Sequence, residues 1–166
     1  MKRTLAALFL LCAALLTACA STEQPAATEA MQLANPWVEY ETLEEAEAAA
    51  GVDFSFPETV GGCFSARSYR VMAECLMEVT YRDKDDEAFE VTVRQSAGEG
   101  QDISGDYRSY ETVTEFTEGD STVVHKSGEY GELTLIWYDG YSYSLYAPNG
   151  YWGDSYNDFH RCLFPI

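Results

Sequence analysis

From Phe64 to Ala147 the chain is written largely in period two. Runs at 64–71, 75–82, 88–95, 110–117, 121–126, 131–138 and 141–147 are rich in Val, Thr, Tyr and Phe, with turn-forming residues between them. Such alternation sends successive side chains to opposite faces of a sheet. The intervals between runs are too short for helical crossovers, so the strands are expected to be antiparallel. The predicted architecture is a curved antiparallel meander of six or seven strands.

The clearest hairpin is Leu133 to Tyr138, then Asp139-Gly140, then Tyr141 to Tyr146. Asp-Gly favours a two-residue type I′ turn, which pairs Tyr138 with Tyr141 and Ile136 with Tyr143 on one face. Leu133, Leu135 and Trp137 then share the other face with Ser142, Ser144 and Tyr146. Neither face is plainly polar, so this hairpin is expected to be central and covered on both sides, or lined on one face by tyrosines.

Helical signals flank the strands. Thr42-Leu43-Glu44-Glu45 has capping-box spacing and an acidic first turn, alanines follow, and Gly51 supplies a stop. The prediction is a helix over 42–50 with Leu43, Ala46 and Ala50 inward. The end, 154–163, has the spacing for a second helix with Phe159 and Leu163 on one side. The class is therefore α+β, in one domain over 35–166.

What precedes that domain reads as export and tethering. Met1-Lys2-Arg3 is positive, and Leu5–Leu16 is an apolar run of twelve residues. A bilayer span needs about twenty, so residues 1–18 read as a signal peptide. Leu16-Thr17-Ala18-Cys19 resembles the lipobox of bacterial lipoproteins, which implies diacylation of Cys19 and anchoring at the extracytoplasmic face of the membrane through the acyl chains. Residues 19–34 are rich in Ala, Ser, Thr, Glu and Gln without apolar periodicity and read as a flexible tether.

Four segments of the domain are familiar in combination. These are Asn35-Pro36-Trp37-Val38-Glu39-Tyr40, Thr42-Leu43-Glu44-Glu45-Ala46-Glu47, Asp102-Ile103-Ser104-Gly105-Asp106-Tyr107 and Trp137-Tyr138-Asp139-Gly140-Tyr141-Ser142-Tyr143-Ser144. Together they resemble the domain of unknown function numbered 4367, common in lipoproteins of clostridia and their relatives. The resemblance spans about 35–147 and implies an envelope-facing α+β domain, with no catalytic residue to carry across. The chain departs from that pattern in its three extra cysteines and its Tyr-rich, Trp-containing end.

Charge narrows the partners. The chain has 28 Asp and Glu against 10 Lys and Arg, a net charge of −18. Nucleic acid is disfavoured, because phosphate binding needs clustered cations. Catalytic motifs are missing: there is no G-x-S-x-G, H-E-x-x-H, C-x-x-C or Walker loop. A Ser-His-Asp set can be assembled on paper from His160, Asp158 and several serines, but no spacing selects one; His125 sits in a Val-rich strand. Asp83-Lys84-Asp85-Asp86-Glu87 gathers carboxylates without the loop glycine of an EF-hand, so it reads as a solvated hairpin loop. No metal or cofactor is expected.

With Cys19 acylated, Cys63, Cys75 and Cys162 remain. A hairpin closing near 72–74 puts Cys63 and Cys75 far apart, so a disulfide within the chain is expected to join Cys162 to Cys63 or Cys75, unless all three stay reduced. Nine of the twelve tyrosines lie between Tyr107 and Tyr156. Tyr138, Tyr141 and Tyr143 form a candidate binding face for an envelope protein or glycan if they are open. The alternative is that Trp152, Tyr156 and Phe159 cover them. The function expected is a non-enzymatic binding or sensory module, with a glycan- or cell-wall-binding module and an unrecognised envelope hydrolase as alternatives.

Overall fold

The structure, a computed structural model, describes residues 35–51, 56–73, 75–150, 157 and 159–161. Its strands are β1 (Trp37–Tyr40), β2 (Thr59–Val60), β3 (Phe64–Met72), β4 (Leu76–Asp83), β5 (Glu90–Ala97), β6 (Thr112–Glu118), β7 (Ser121–Gly128), β8 (Gly131–Tyr138) and β9 (Tyr141–Ala147), with helix α1 (Leu43–Ala50) between β1 and β2. All pair antiparallel in one sheet ordered β1-β3-β4-β5-β9-β8-β7-β6, with β2 beside β3.

Two expectations are corrected here. The sheet has nine strands rather than six or seven, because β1 and β2 are too short to show a period of their own and form by pairing with β3. It is also not one continuous meander. β3–β4–β5 and β6–β7–β8–β9 are each meanders closed by short turns, but β5 pairs with β9, not β6. The segment 98–111 therefore carries the chain past β9, β8 and β7 to the far edge. The Asp-Gly hairpin lands in the middle of the sheet with the expected register, Tyr138↔Tyr141 and Ile136↔Tyr143. Asp139 and Gly140 both have positive φ, as a type I′ turn requires.

A bulge between Ala66 and Ser68 explains why β3 alternates imperfectly. It lets Phe64 and Ala66 before it, and Tyr69 and Val71 after it, reach the same face. That face carries the main core, with Val79, Tyr81, Val93, Ile136 and Leu145 fully buried. Each such side chain stabilises the fold by about 1.5–3 kcal/mol.

Helix α1 packs on this face against β1, β3 and β4, burying Ala46 and Ala50 with Leu43 beside them. Thr42 caps it by accepting from the Glu45 amide at 3.2 Å, and Gly51 closes it in the left-handed conformation. At the C-terminal end Asn157 and Phe159–Arg161 are helical. Phe159 is fully buried, its ring 5.4 Å from Phe64 and 5.2 Å from Tyr81.

Candidate functional site

The opposite face of the sheet begins with charge. Glu78 in the central strand β4 is 1% exposed. Its Oε1 accepts from Arg70 Nε at 2.8 Å and also from Nη2, while Oε2 accepts from Arg94 Nε at 2.8 Å. A buried carboxylate survives only if its oxygens are saturated, and these two guanidinium groups supply that. Trp37 from β1 roofs the trio, its ring 5.1 Å from Arg70 Cζ and 5.2 Å from Arg94 Cζ. Both cations therefore also gain a π-face.

Beside this cluster the segment 98–111 lies as a strap over β9, β8 and β7. Side chains that bond backbone two residues on fix its path. Asp102 Oδ1 accepts from the Ser104 amide at 3.1 Å, Ser104 Oγ from the Asp106 amide at 3.1 Å, and Asp106 Oδ1 from the Arg108 amide at 3.0 Å.

The sheet holds the strap at several points. Trp137 Nε1 donates to Gln101 O at 3.0 Å, the Gln101 amide to Ser142 Oγ at 3.2 Å, and Lys126 Nζ to Asp102 Oδ2 at 3.0 Å. Arg94 Nη1 donates to the carbonyls of Ile103 and Ser104. Gly105 is needed where it stands. Its φ is +66°, and a Cβ there would sit 2.7 Å from Arg94 Nη1. Beneath the strap Val124, Leu133 and Leu135 form a second small core with Tyr110, Trp137 and Tyr146 against it.

Where the strap nears β9 it leaves an open cavity of about 550 Å³, walled by Arg94, Asp106, Tyr107, Arg108 and Tyr146 among others. Arg108 Nη2 donates to Asp106 Oδ2 at 2.5 Å and to the Tyr146 hydroxyl at 2.8 Å. Its Cζ lies 4.6 Å from the Tyr130 ring centre and 5.3 Å from that of Tyr146.

Hydrogen bonding to Arg108 holds the Asp106 carboxyl well below its ordinary range, and Asp106 in turn keeps Arg108 charged. Burial, then the hydrogen bond to Asp106, pushes the Tyr110 hydroxyl up. For Asp102, burial works against ionisation, but bonds from Ser104 and Lys126 outweigh it and lower the carboxyl. Tyr107 stands 91% exposed at the rim.

The residues singled out from sequence lie elsewhere. Tyr143 is 8% exposed and its hydroxyl accepts from Gln95 Nε2 at 3.1 Å. Tyr138 and Tyr141 are half-buried against the main core. Phe159, one of the three residues expected to cover them, packs on Phe64 and Tyr81; Trp152 and Tyr156 lie outside the described residues.

Cys63 and Cys75 are free thiols at opposite ends of β3, about 30 Å apart at strand rise, while Cys19, Cys162 and Asp158 lie outside the described residues. His125 Nδ1 meets Thr134 Oγ1 at 3.1 Å, and His160 Nε2 lies 3.5 Å from Glu118 Oε2. In the acidic loop, Asp83 is fully buried and its Oδ1 accepts from the amides of Asp85 and Asp86, so it shapes the turn. Among the described residues no three His, Cys, Asp or Glu gather as a metal site, and no helix is long and apolar enough to cross a membrane.

Sequence reasoning passed over Tyr107, Arg108, Tyr130 and Tyr146 as a group. The usable signal was the turn-forming string Asp102, Ser104, Asp106; nothing in it told which strands the strap would cross. No family model, curated protein or solved structure matches the chain.

Proposed function

We propose that this chain is a binding module of the bacterial envelope, anchored through acyl chains on Cys19 and carrying a glycan-recognition site on its strap. The observation that carries the reading is Tyr107, 91% exposed beside the Arg108–Asp106 pair at the rim of the cavity. A solvent-facing ring on an ordinary loop has no packing reason to be aromatic. Next to a bidentate polar pair it suits a pyranose, whose apolar face stacks while neighbouring hydroxyls bond. The net charge of −18 favours a neutral or amino sugar over an acidic one. The leader and the resemblance to the 4367 family support the envelope setting.

Affinity electrophoresis and calorimetry with oligomers of N-acetylglucosamine and of glucosamine test this. Binding should be saturable, and Tyr107→Ala should weaken it by about tenfold or more, equal to about 1.4 kcal/mol, without lowering Tm. Full binding by the variant, or none by the wild type, overturns the glycan reading. A purely sensory module with a protein ligand is the second reading, favoured if an envelope protein binds and Tyr107→Ala abolishes that instead.

A further inference from the structure

The strand β6 ends the sheet. Among the described residues it pairs with β7 alone, and all seven of its residues are exposed. Its register runs unbroken from Thr112↔Ser127 to Glu118↔Ser121 across a two-residue turn. In such a turn the closing pair is hydrogen-bonded, so the even-numbered residues of β6 bond to β7. Val113, Glu115 and Thr117 therefore direct their N–H and C=O groups away from the sheet.

Edge strands are usually blunted by Pro, a bulge, shortness or charged side chains, lysine above all. β6 has no proline, lysine or bulge, and at seven residues it exceeds β1, the strand at the other end of the order. It also presents apolar surface on both faces, with Val113 60% and Phe116 41% exposed.

Its charge is of one sign. Glu115 and Glu118 lie on the strand, and Glu111 and Asp120 flank it. Glu118 faces His160 at 3.5 Å. The nearby Lys126, opposite Val113 on β7, is occupied by Asp102 at 3.0 Å. Among the described residues Glu111 and Glu115 have no basic partner. A second copy is a poor occupant, since β6 against β6 stacks glutamates in a chain of net charge −18.

We propose that β6 is a docking edge for a basic, extended polypeptide. The partner adds as a further strand, bonding to the outward groups of Val113, Glu115 and Thr117, with Lys or Arg facing Glu115 and an apolar residue against Phe116. The same glutamates that repel a second copy select this partner. The inference rests on the sheet edge and not on the strap, so either can fail alone.

The test uses the purified full-length chain and a fluorescein-labelled peptide, Lys-Val-Lys-Val-Lys-Val-Lys, read by anisotropy. A control peptide carries N-methyl groups on alternate amides, keeping its charge but losing one row of donors. Saturable binding of the first peptide is expected, with affinity at least about tenfold lower for the control. Thr117→Pro removes an outward N–H and none that bonds to β7, and Glu115→Lys reverses the charge; each should weaken binding by a similar factor while the melting curve shows the fold intact. Equal binding of the N-methylated peptide would reduce the effect to charge and overturn the proposal. So would no binding at all, affinity untouched by both variants, or a dimer in size exclusion that Thr117→Pro dissociates.

Discussion

At Tyr143 a phenol ends inside the sheet's main core, accepting from Gln95 Nε2 at 3.1 Å. Tyr143→Phe leaves that amide without its acceptor and should cost about 1–2 kcal/mol. Tyr143→Ala opens a cavity and should cost about 3 kcal/mol or more, both read from urea midpoints. The hydroxyl also titrates late: burial, then Tyr141 and Asp139, pushes it up to about 12. A group whose folded pKa exceeds its unfolded one contributes stability below the unfolded value and loses it as pH rises through the folded value. Wild-type stability should therefore fall between about pH 10 and 12, and Tyr143→Phe should flatten that fall. Alternation placed Tyr143 with Ile136 on one face, but it did not tell whether that face was wet, because burial depends on α1 and the far strands rather than on neighbours in sequence.

At the scale of elements, one arginine ties the strap to the buried charge cluster. Arg94 serves Glu78 and the carbonyls of Ile103 and Ser104, whereas the hydrogen bonds of Arg70 go to Glu78. Arg94→Met and Arg70→Met should each cost about 3 kcal/mol, since either leaves one oxygen of the buried Glu78 carboxylate unpaired, but only Arg94→Met should also loosen the strap. Urea denaturation gives the two costs, and faster amide exchange at 102–108 in Arg94→Met alone gives the loosening. Helix α1 was legible residue by residue, since its cap, its stop and its alanine face are local. The strap was not: its ties reach from Gln101 to Trp137 and Ser142, pairings that no local pattern encodes.

For the whole molecule, acid is the test of how the strap is held. The Asp102 and Asp106 carboxyls both sit below their ordinary values. A depressed carboxyl contributes stability above its unfolded pKa of about 4 and loses it as pH falls through the folded value. Stability should thus decline below about pH 4, and Asp102→Asn should be less stable at pH 6 but show a shallower acid limb. Circular dichroism melts across pH 2–7, spanning the ordinary carboxylate range near 4, provide the check. The envelope setting has its own test: Cys19→Ala should abolish labelled palmitate incorporation and leave the precursor uncleaved, and normal processing of that variant would remove the anchor from the proposal.

The positions of β3 to β9, the antiparallel sense, the Asp-Gly register and the short helix were all determined by the sequence alone. Each rests on interactions between residues close along the chain or on the period of the backbone itself. Tertiary structure decided three things that period two cannot carry: that β5 meets β9, that β6 is left at the edge, and that 98–111 crosses a face as a strap. The reason is physical. A strand's alternation specifies two faces but names no partner, and the choice among partners rests on contacts between residues far apart in the chain, such as Gln95 with Tyr143 across β5 and β9.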